Sequence, residues 1–407
     1  MPHPSRSAIA AFGVVQILGW GSSFYFPAVF APAIVRETAW PLPWVVGGAS
    51  LGLLVAGLVS PAVGAAIARR GGRAVLASSS VLFAAGLCLV GIAPTLAVYL
   101  AGWAVIGIGM GTGLYDAVFA ALGRQYGHAA RMPIATLTLF GGFASTICWP
   151  FSAWLLEWQG WRAACFVYAA LHLALALPLM LYATRVRPSA AAPPHDAKDG
   201  ASPFAPAQAQ DRQPIFALLA VIFSLAAGIG AIVIVHMLIF LQARGLDFAA
   251  AVAAGMLFGP AQVGARVIER LFGARYHPIW TLAAAVALMA LGLVLFTTGM
   301  PVILAAIAIY AAGYGISWIA RGTVPLALFG PHDYPRLAGR LAFPGLIVQA
   351  LAPSAGALML SVYGESATII TLIALALVNA ALTLWLLRLA RTVGNGDGFR
   401  HSGRDRN

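Results

Sequence analysis

Long apolar runs follow one another along this chain, and short polar or Gly/Pro-rich stretches separate them. Each run is about as long as the ~20 apolar residues that a helix needs to cross the hydrocarbon core of a bilayer. The pattern therefore predicts twelve membrane-spanning helices in a lipid bilayer. The predicted spans are residues 9–35, 43–67, 74–92, 95–122, 132–156, 162–184, 214–241, 249–271, 278–298, 301–329, 341–363 and 366–390.

The largest polar break lies in the middle of the chain and begins "TRVRPSAAAPPHDAKDG". It is rich in Pro and Ala and has no hydrophobic periodicity, which is typical of a flexible linker. We therefore predict an N-terminal six-helix bundle over 1–186, a cytoplasmic linker over 187–213, a C-terminal six-helix bundle over 214–392, and a cytoplasmic tail over 393–407.

Composition supports the membrane interpretation. Of the 407 residues, 61% are hydrophobic and only 9% are charged, whereas soluble domains carry roughly 25% charged residues. The net charge of +12 would suit a nucleic-acid partner. However, the basic residues form short clusters between apolar runs, so we predict no nucleic-acid binding.

The distribution of Lys and Arg predicts the orientation. With the N-terminus inside, nineteen of the 24 basic residues fall in inside segments and three outside, at Arg36, Arg162 and Arg244. Arg266 and Arg321 fall within spans. Because cytoplasmic loops carry an excess of Lys and Arg, both termini are predicted to be cytoplasmic. The expected location is the bacterial inner (plasma) membrane.

The two halves of the sequence resemble each other. "GAAIARRGGR" ends at Arg73, and "GARVIERLFGAR" ends at Arg275, 202 residues later. The polar connections around Arg131 and Arg340 are offset by 209 residues. Because odd spans match odd spans, the repeats are parallel, as in many transporters. The predicted fold is an all-α membrane protein with two pseudo-symmetric six-helix bundles.

The loop after the second span resembles a motif of the major facilitator superfamily, Gly-x-Leu-Ala-Asp-Arg-x-Gly-Arg-Lys. It keeps Gly64, Arg69, Gly71 and Arg73, but Ala68 replaces the acid. The resemblance implies the fold of that family. It also implies that these four residues belong to a gating loop that helps hold the two halves together in one state.

The opening stretch "WGSSFYFPAVFAPAIVRETAW" is similar to the first span of the monocarboxylate and oxalate–formate porter branch of that family. This branch often places an acid and an Arg four residues apart in its eighth span. Gln262 and Arg266 occupy that spacing here. The resemblance implies anion binding at Arg266, whereas the missing acid does not support proton coupling at Gln262.

Three polar residues of the eighth span lie on one helical face, because Gln262, Arg266 and Glu269 are four and three residues apart. A cation at the bilayer centre costs at least about 2.5–3.5 kcal/mol, so such residues usually face a cavity or a partner. Arg266 and Gln262 are therefore candidate substrate contacts, with Arg266 binding the anion. Glu269 is a candidate for proton coupling, or for an ion pair with Arg266 that closes a gate.

Arg321 lies well inside the tenth span, and Asp116 lies in the fourth. These spans hold equivalent places in the two halves, on either side of a central cavity in this fold. We predict an Asp116–Arg321 pair, which is either static or broken and remade during transport. An Arg fork can bind both oxygens of a carboxylate, so Arg321 is also a candidate substrate contact.

Four further residues complete the predicted substrate site. His236 in the seventh span is a proton relay or substrate contact, or else a packing residue. Tyr25, Tyr115 and Trp318 either line the cavity or serve as packing and interfacial residues.

Several functional classes are disfavoured by motifs that the sequence lacks. It contains no Gly-x-x-x-x-Gly-Lys-Ser/Thr phosphate loop, no nucleophile–base arrangement and no Cys/His cluster. We therefore predict that the protein is not an enzyme and uses no cofactor or metal. The favoured function is secondary transport of a small organic anion, a monocarboxylate in first place, by a monomer that is proton-coupled or exchanging. The alternatives are efflux of a drug or metalloid compound on the same fold, and a membrane sensor.

Overall fold

The structure is a computed structural model that describes residues 5–185, 212–298 and 302–401. These residues are almost entirely helical and contain no β-strand. A π-helical turn covers His172–Ala176, and short 3₁₀ turns cover Gly127–Ala130 and Gly273–Arg275. The α-helices are α1 (Arg6–Ser22), α2 (Phe26–Thr38), α3 (Leu42–Arg70), α4 (Gly72–Ile92), α5 (Leu96–Gly113), α6 (Tyr115–Tyr126), α7 (Arg131–Gly142), α8 (Ala144–Leu171), α9 (Leu177–Arg185), α10 (Arg212–Ala243), α11 (Phe248–Gly255), α12 (Phe258–Phe272), α13 (Pro278–Leu295), α14 (Ile303–Phe329) and α15 (Tyr334–His401).

Nine helical segments in the described part of the chain are long and apolar enough to cross a membrane. Two are composite, because Leu96–Arg185 contains three predicted spans and Tyr334–Arg391 contains two. Gly160 (φ 80°) and Gly364 (φ 77°) break the helix inside these segments. A left-handed backbone favours glycine and cannot continue an α-helix. The segments therefore account for the twelve predicted spans and confirm the all-α membrane fold.

The first predicted span consists of two helices, with a break at residues 23–25 between α1 and α2. The hydroxyls of Ser22 and Ser23 donate to the carbonyls of Leu18 (2.8 Å) and Gly19 (2.5 Å). Such back-bonding competes with the backbone ladder and often bends helices. Pro27, which has no N–H, then lies in the first turn of α2. Together these residues explain why the apolar run is interrupted.

The described residues group into two compact units. The first unit is drawn from 2–190 together with 335–350, and the second from 191–334 together with 351–407. Residues 335–350 form the first part of α15, and they group with the first unit because they pack closely against α3. A Cβ at Gly339 would overlap the carbonyl of Ser60, and a Cβ at Gly64 would lie 3.0 Å from the Cα of Gly339. Such small residues let membrane helices approach closely.

Equivalent helices pack in the same order within each unit. In the first unit α3 and α4 pack against α5, and in the second unit α12 and α13 pack against α14. The closest approaches also correspond. A Cβ at Gly107 would lie 2.5 Å from the carbonyl oxygen of Gly52, and a Cβ at Gly315 would lie 2.6 Å from that of Gln262. This agreement supports the parallel repeat inferred from the sequence.

Candidate substrate site

The polar stripe of the eighth span lies on α12, which presents one polar and one apolar face. Gln262 and Arg266 are buried, whereas Ile268 and Leu271 on the other face are exposed. Because Gly315 on α14 has no side chain, the two helices touch at Gln262. The stripe therefore faces the inside of its own unit, as the residue spacing predicts.

Arg266 is held at this crossing by hydrogen bonds to two neighbours. Its Nε donates to the carbonyl oxygen of Gly315 over 2.9 Å, and its Nη2 donates to Oε1 of Gln262 over 3.2 Å. Its relative exposure is only 3%. Hydrogen bonds to charged groups are stronger than neutral ones, so Arg266 links α12 to α14 as well as carrying a buried charge.

Glu269 has a different neighbour. Its Oε1 accepts a hydrogen bond of 2.6 Å from Oγ1 of Thr281 on α13. The carboxylate also lies over Gly273, where a side chain would collide with it. The structure thus places Glu269 against the start of α13, while Arg266 bonds to Gln262 and Gly315. An ion pair between Arg266 and Glu269 was one of the two predicted roles of Glu269, and it stays a prediction.

Arg321 lies in the second half of α14, half-buried, beside a row of aromatic rings. Its Cζ is 5.4 Å from the ring centre of Trp318, within cation–π range. The Trp318 ring meets Tyr314 edge-on, with centres 6.2 Å apart. Tyr314 in turn lies 5.8 Å from Phe258 on α12. Arg321 is therefore a less buried cation than Arg266 and lies next to flat aromatic surfaces.

Tyr115 and Asp116 open α6, directly after the helix break at Leu114. The Tyr115 ring is buried, stacks on Phe119 at 5.2 Å, and its hydroxyl donates to the carbonyl of Thr138 over 3.4 Å. Asp116 is half-buried in the first helical turn, where the positive end of the helix dipole favours a carboxylate. Asp116 and Arg321 belong to different units, and their pairing stays a prediction.

Tyr25 lies at the break between α1 and α2 and contacts two aromatic neighbours. Its ring is 5.2 Å from that of Phe24 and 6.2 Å from that of Trp149, edge-on to both. Trp149 is exposed on α8. This arrangement fits both predicted roles of Tyr25, packing and cavity lining.

His236 makes a specific packing contact. Its Nε2 donates to the carbonyl oxygen of Pro353 over 3.0 Å. Its ring also lies where α10 and α15 approach closely, because a Cβ at Gly356 would be 3.1 Å from Cδ2 of His236. These contacts support the packing role that the sequence left open for this residue.

The predicted gating loop is a tight turn between α3 and α4. Gly71, with φ 85°, ends α3, and its N–H donates to the carbonyl of Ile67 over 2.9 Å. Arg69 and Arg73 are exposed on either side of it. Gly64, the first residue of this motif, lies within α3 and contacts α15 at Gly339.

Sequence reasoning missed the arginines that cap helix ends. Arg124 on α6 donates to the carbonyls of Ile67 and Ala68 at the end of α3. Arg212 bonds the carbonyl of Phe329 over 3.2 Å and the carboxylate of Asp333 over 2.5 Å. Helix ends leave unsatisfied carbonyls that such side chains can satisfy. The only sequence signal was that these arginines lie at predicted span ends.

A third cap combines Glu37, Trp161 and Arg162 in the first unit. The Glu37 carboxylate accepts from Nε1 of Trp161 (2.6 Å) and Nε of Arg162 (2.7 Å). Arg162 also donates to the carbonyls of Gly91 (2.8 Å) and Ala93 (3.0 Å) at the end of α4. Because Trp161 and Arg162 follow the break at Gly160, this network fixes the turn between two spans.

The described residues contain no group of three or more His, Cys, Asp or Glu side chains that could hold a metal. They instead combine two helical bundles with buried polar residues inside the membrane spans. That combination defines a multi-pass integral membrane protein.

Comparison with known proteins identifies the family. The sequence model of the Major Facilitator Superfamily matches residues 12–279, and the chain belongs to this family of transporters, which are generally not enzymes. No curated protein matches the chain.

Solved structures with the same fold cover nearly the whole chain. One is the human organic anion transporter MFSD10 (TETRAN), with a TM-score of 0.70, 17% identity, and coverage of 93% of this chain and 99% of that chain. A second is the transporter FucP in the outward conformation, with a TM-score of 0.69, 13% identity, and coverage of 95% of this chain and 99% of that chain. A third is the proton:xylose symporter XylE, with a TM-score of 0.69, 11% identity, and coverage of 92% of this chain and 94% of that chain. These likenesses confirm the two-bundle fold; the monocarboxylate and oxalate–formate branch remains a prediction.

Proposed function

We propose that this protein is a secondary active transporter that moves a small organic anion, a monocarboxylate in first place, by alternating access. It would work in the bacterial inner membrane with both termini in the cytoplasm, driven by protons or by exchange. The observation that carries the proposal is Arg321, a half-buried cation well inside a membrane span and beside Trp318.

The chemistry of Arg321 suits a carboxylate. A guanidinium presents a planar fork that binds both oxygens, and it stays charged at any working pH. A flat ring beside it leaves room for the apolar part of a small acid. An organic anion transporter among the structural neighbours indicates that the fold is compatible with anionic substrates.

Arg266 has a supporting role in this proposal. Its hydrogen bonds to Gly315 and Gln262 keep α14 in register with α12, so Arg266 orients the helix that carries Arg321. Its charge also makes the surroundings favourable for an anion.

The test is uptake by proteoliposomes that contain the purified protein and a series of short monocarboxylates. Arg321→Ala should weaken apparent affinity by at least about 30-fold, since removing one partner of a hydrogen-bonded charge pair costs about 2 kcal/mol or more. Arg321→Lys should retain part of the activity because it keeps the charge and loses the fork.

Arg36→Ala is the matched control, because Arg36 is exposed at the end of α2. Full uptake by Arg321→Ala would overturn the role of Arg321. If the wild-type protein transports no carboxylate but transports a drug or metalloid compound in the same vesicles, the substrate class is wrong and the efflux alternative is correct.

A further inference from the structure

Side chains of α12, α13 and α15 in the second unit meet on the side predicted to be cytoplasmic. Cζ of Arg391, near the end of α15, lies 5.2 Å from the ring centre of Trp280, in the first turn of α13. The bond between Thr281 and Glu269 joins the start of α13 to the end of α12. These contacts bring together side chains that lie more than 100 residues apart in the sequence.

Positive charge is concentrated at this meeting point. Arg270 lies in the last turn of α12, Arg275 in the 3₁₀ turn that follows it, and Arg388 and Arg391 in α15. Glu269 on α12 accepts a hydrogen bond from Thr281 at the same place. The N-terminus of α13, an 18-residue helix, adds the positive end of its dipole. The cluster therefore favours an anion.

An exposed apolar stripe runs along α15 directly into this cluster. Leu377, Leu384, Arg388 and Arg391 are spaced by seven, four and three residues, so they share one helical face. Both leucines are exposed, and in a bilayer they face acyl chains. The face thus changes from apolar to cationic at the level where a membrane helix meets the lipid headgroups.

We propose that Arg388, Arg391 and Trp280 form a binding site for the phosphate headgroup of an anionic phospholipid, with an acyl chain lying along the Leu377–Leu384 stripe. A free phosphate would bind the arginines and make no contact with the apolar stripe. A zwitterionic lipid would cover the stripe and bring no net negative charge to the cluster. An anionic phospholipid matches both parts.

The test measures the melting temperature of the full-length protein in an uncharged detergent during titration with phosphatidylglycerol. A ligand that binds the folded state raises this temperature by mass action. Phosphatidylcholine and inorganic phosphate are titrated in parallel. We expect a rise with phosphatidylglycerol at concentrations where the other two have little effect.

The decisive variant is the double substitution Arg388→Gln and Arg391→Gln. Each arginine near a membrane surface contributes about a fivefold gain in binding to anionic lipid, so the double variant should need about 25-fold more phosphatidylglycerol. Arg6→Gln with Arg36→Gln removes the same charge from two exposed sites of the first unit and should change the response less than twofold. The conservative double substitution Arg388→Lys and Arg391→Lys should keep most of the wild-type response.

The proposal fails if wild type responds equally to phosphatidylglycerol and phosphatidylcholine, or if the double glutamine variant keeps the wild-type response. An equal response to inorganic phosphate would make this a free-anion site and would overturn the lipid assignment. Should the glutamine variant not fold, the lysine variant and the two single glutamine variants give the same comparison. Single variants that keep the wild-type response overturn the proposal.

Discussion

The crossing of α12 and α14 gives a sharp test of how the candidate site is built. At Gly315 an added Cβ would lie 2.6 Å from the carbonyl oxygen of Gln262 and 2.9 Å from its Cα. Both are backbone atoms, so no flexible side chain can move away. Gly315→Ala must therefore push the helices apart, although it leaves the Gly315 carbonyl chemically unchanged.

The change in the free energy of unfolding of Gly315→Ala follows from two opposing contributions. Overpacking a well-packed contact costs about 1–3 kcal/mol, while alanine gains up to about 1 kcal/mol over glycine in a helix interior. Gly264→Ala on α12 is the matched control, because nothing lies within 4 Å of its added Cβ. Gly264→Ala gains only the higher helix propensity of alanine, so the free energies of unfolding of the two variants should differ by about 1–3 kcal/mol.

The same change should affect transport. If the helices separate by several tenths of an ångström, the 2.9 Å hydrogen bond from Arg266 to the Gly315 carbonyl lengthens. A hydrogen bond to a charged group contributes about 1.5–3 kcal/mol. We therefore expect Gly315→Ala to lower both the melting temperature and the rate of carboxylate uptake, with Gly264→Ala at or above wild type in both.

Thermal unfolding of the two purified variants in one detergent provides the measurement. The reasoning is refuted if Gly315→Ala melts at or above the temperature of Gly264→Ala. A lower melting temperature with unchanged uptake would retain the packing argument and remove Arg266 from the function.

Two further substitutions test other parts of the molecule. Glu37→Gln removes the charge that faces Arg162, and because this pair is partly exposed, it should lower the free energy of unfolding by only about 0.2–1 kcal/mol. The control is Glu157→Gln on the exposed face of α8, which should have no effect. Equal melting temperatures of the two variants would contradict the turn-fixing network. Asp116→Asn should flatten the pH dependence of uptake if Asp116 carries the coupled proton. The control Asp247→Asn, which keeps the N-cap of α11, should leave the pH profile unchanged. The same pH profile in the wild type and both variants would exclude Asp116 from coupling.

Local features of the chain were predictable from sequence. The twelve spans, the break between 156 and 162 and the break between 363 and 366 all follow from hydropathy and from where the chain becomes polar or glycine-rich. The inward-facing stripe at Gln262 and Arg266 follows from helical periodicity. Each of these depends on residues within a few turns of one another, and a lipid environment requires every backbone group to be satisfied within its own helix.

The partners of the polar residues were decided by tertiary structure alone. Spacing places Arg266 on a face and says nothing of which helix lies opposite, so the Gly315 carbonyl 49 residues away could not be predicted. The bond from Thr281 to Glu269 and the capping by Arg124 have the same origin. Membrane helices form individually from local hydrophobicity and hydrogen bonding, whereas their contacts depend on close packing at small residues such as Gly315 and Gly339. That packing is a property of two helices together, and neither sequence segment specifies it alone.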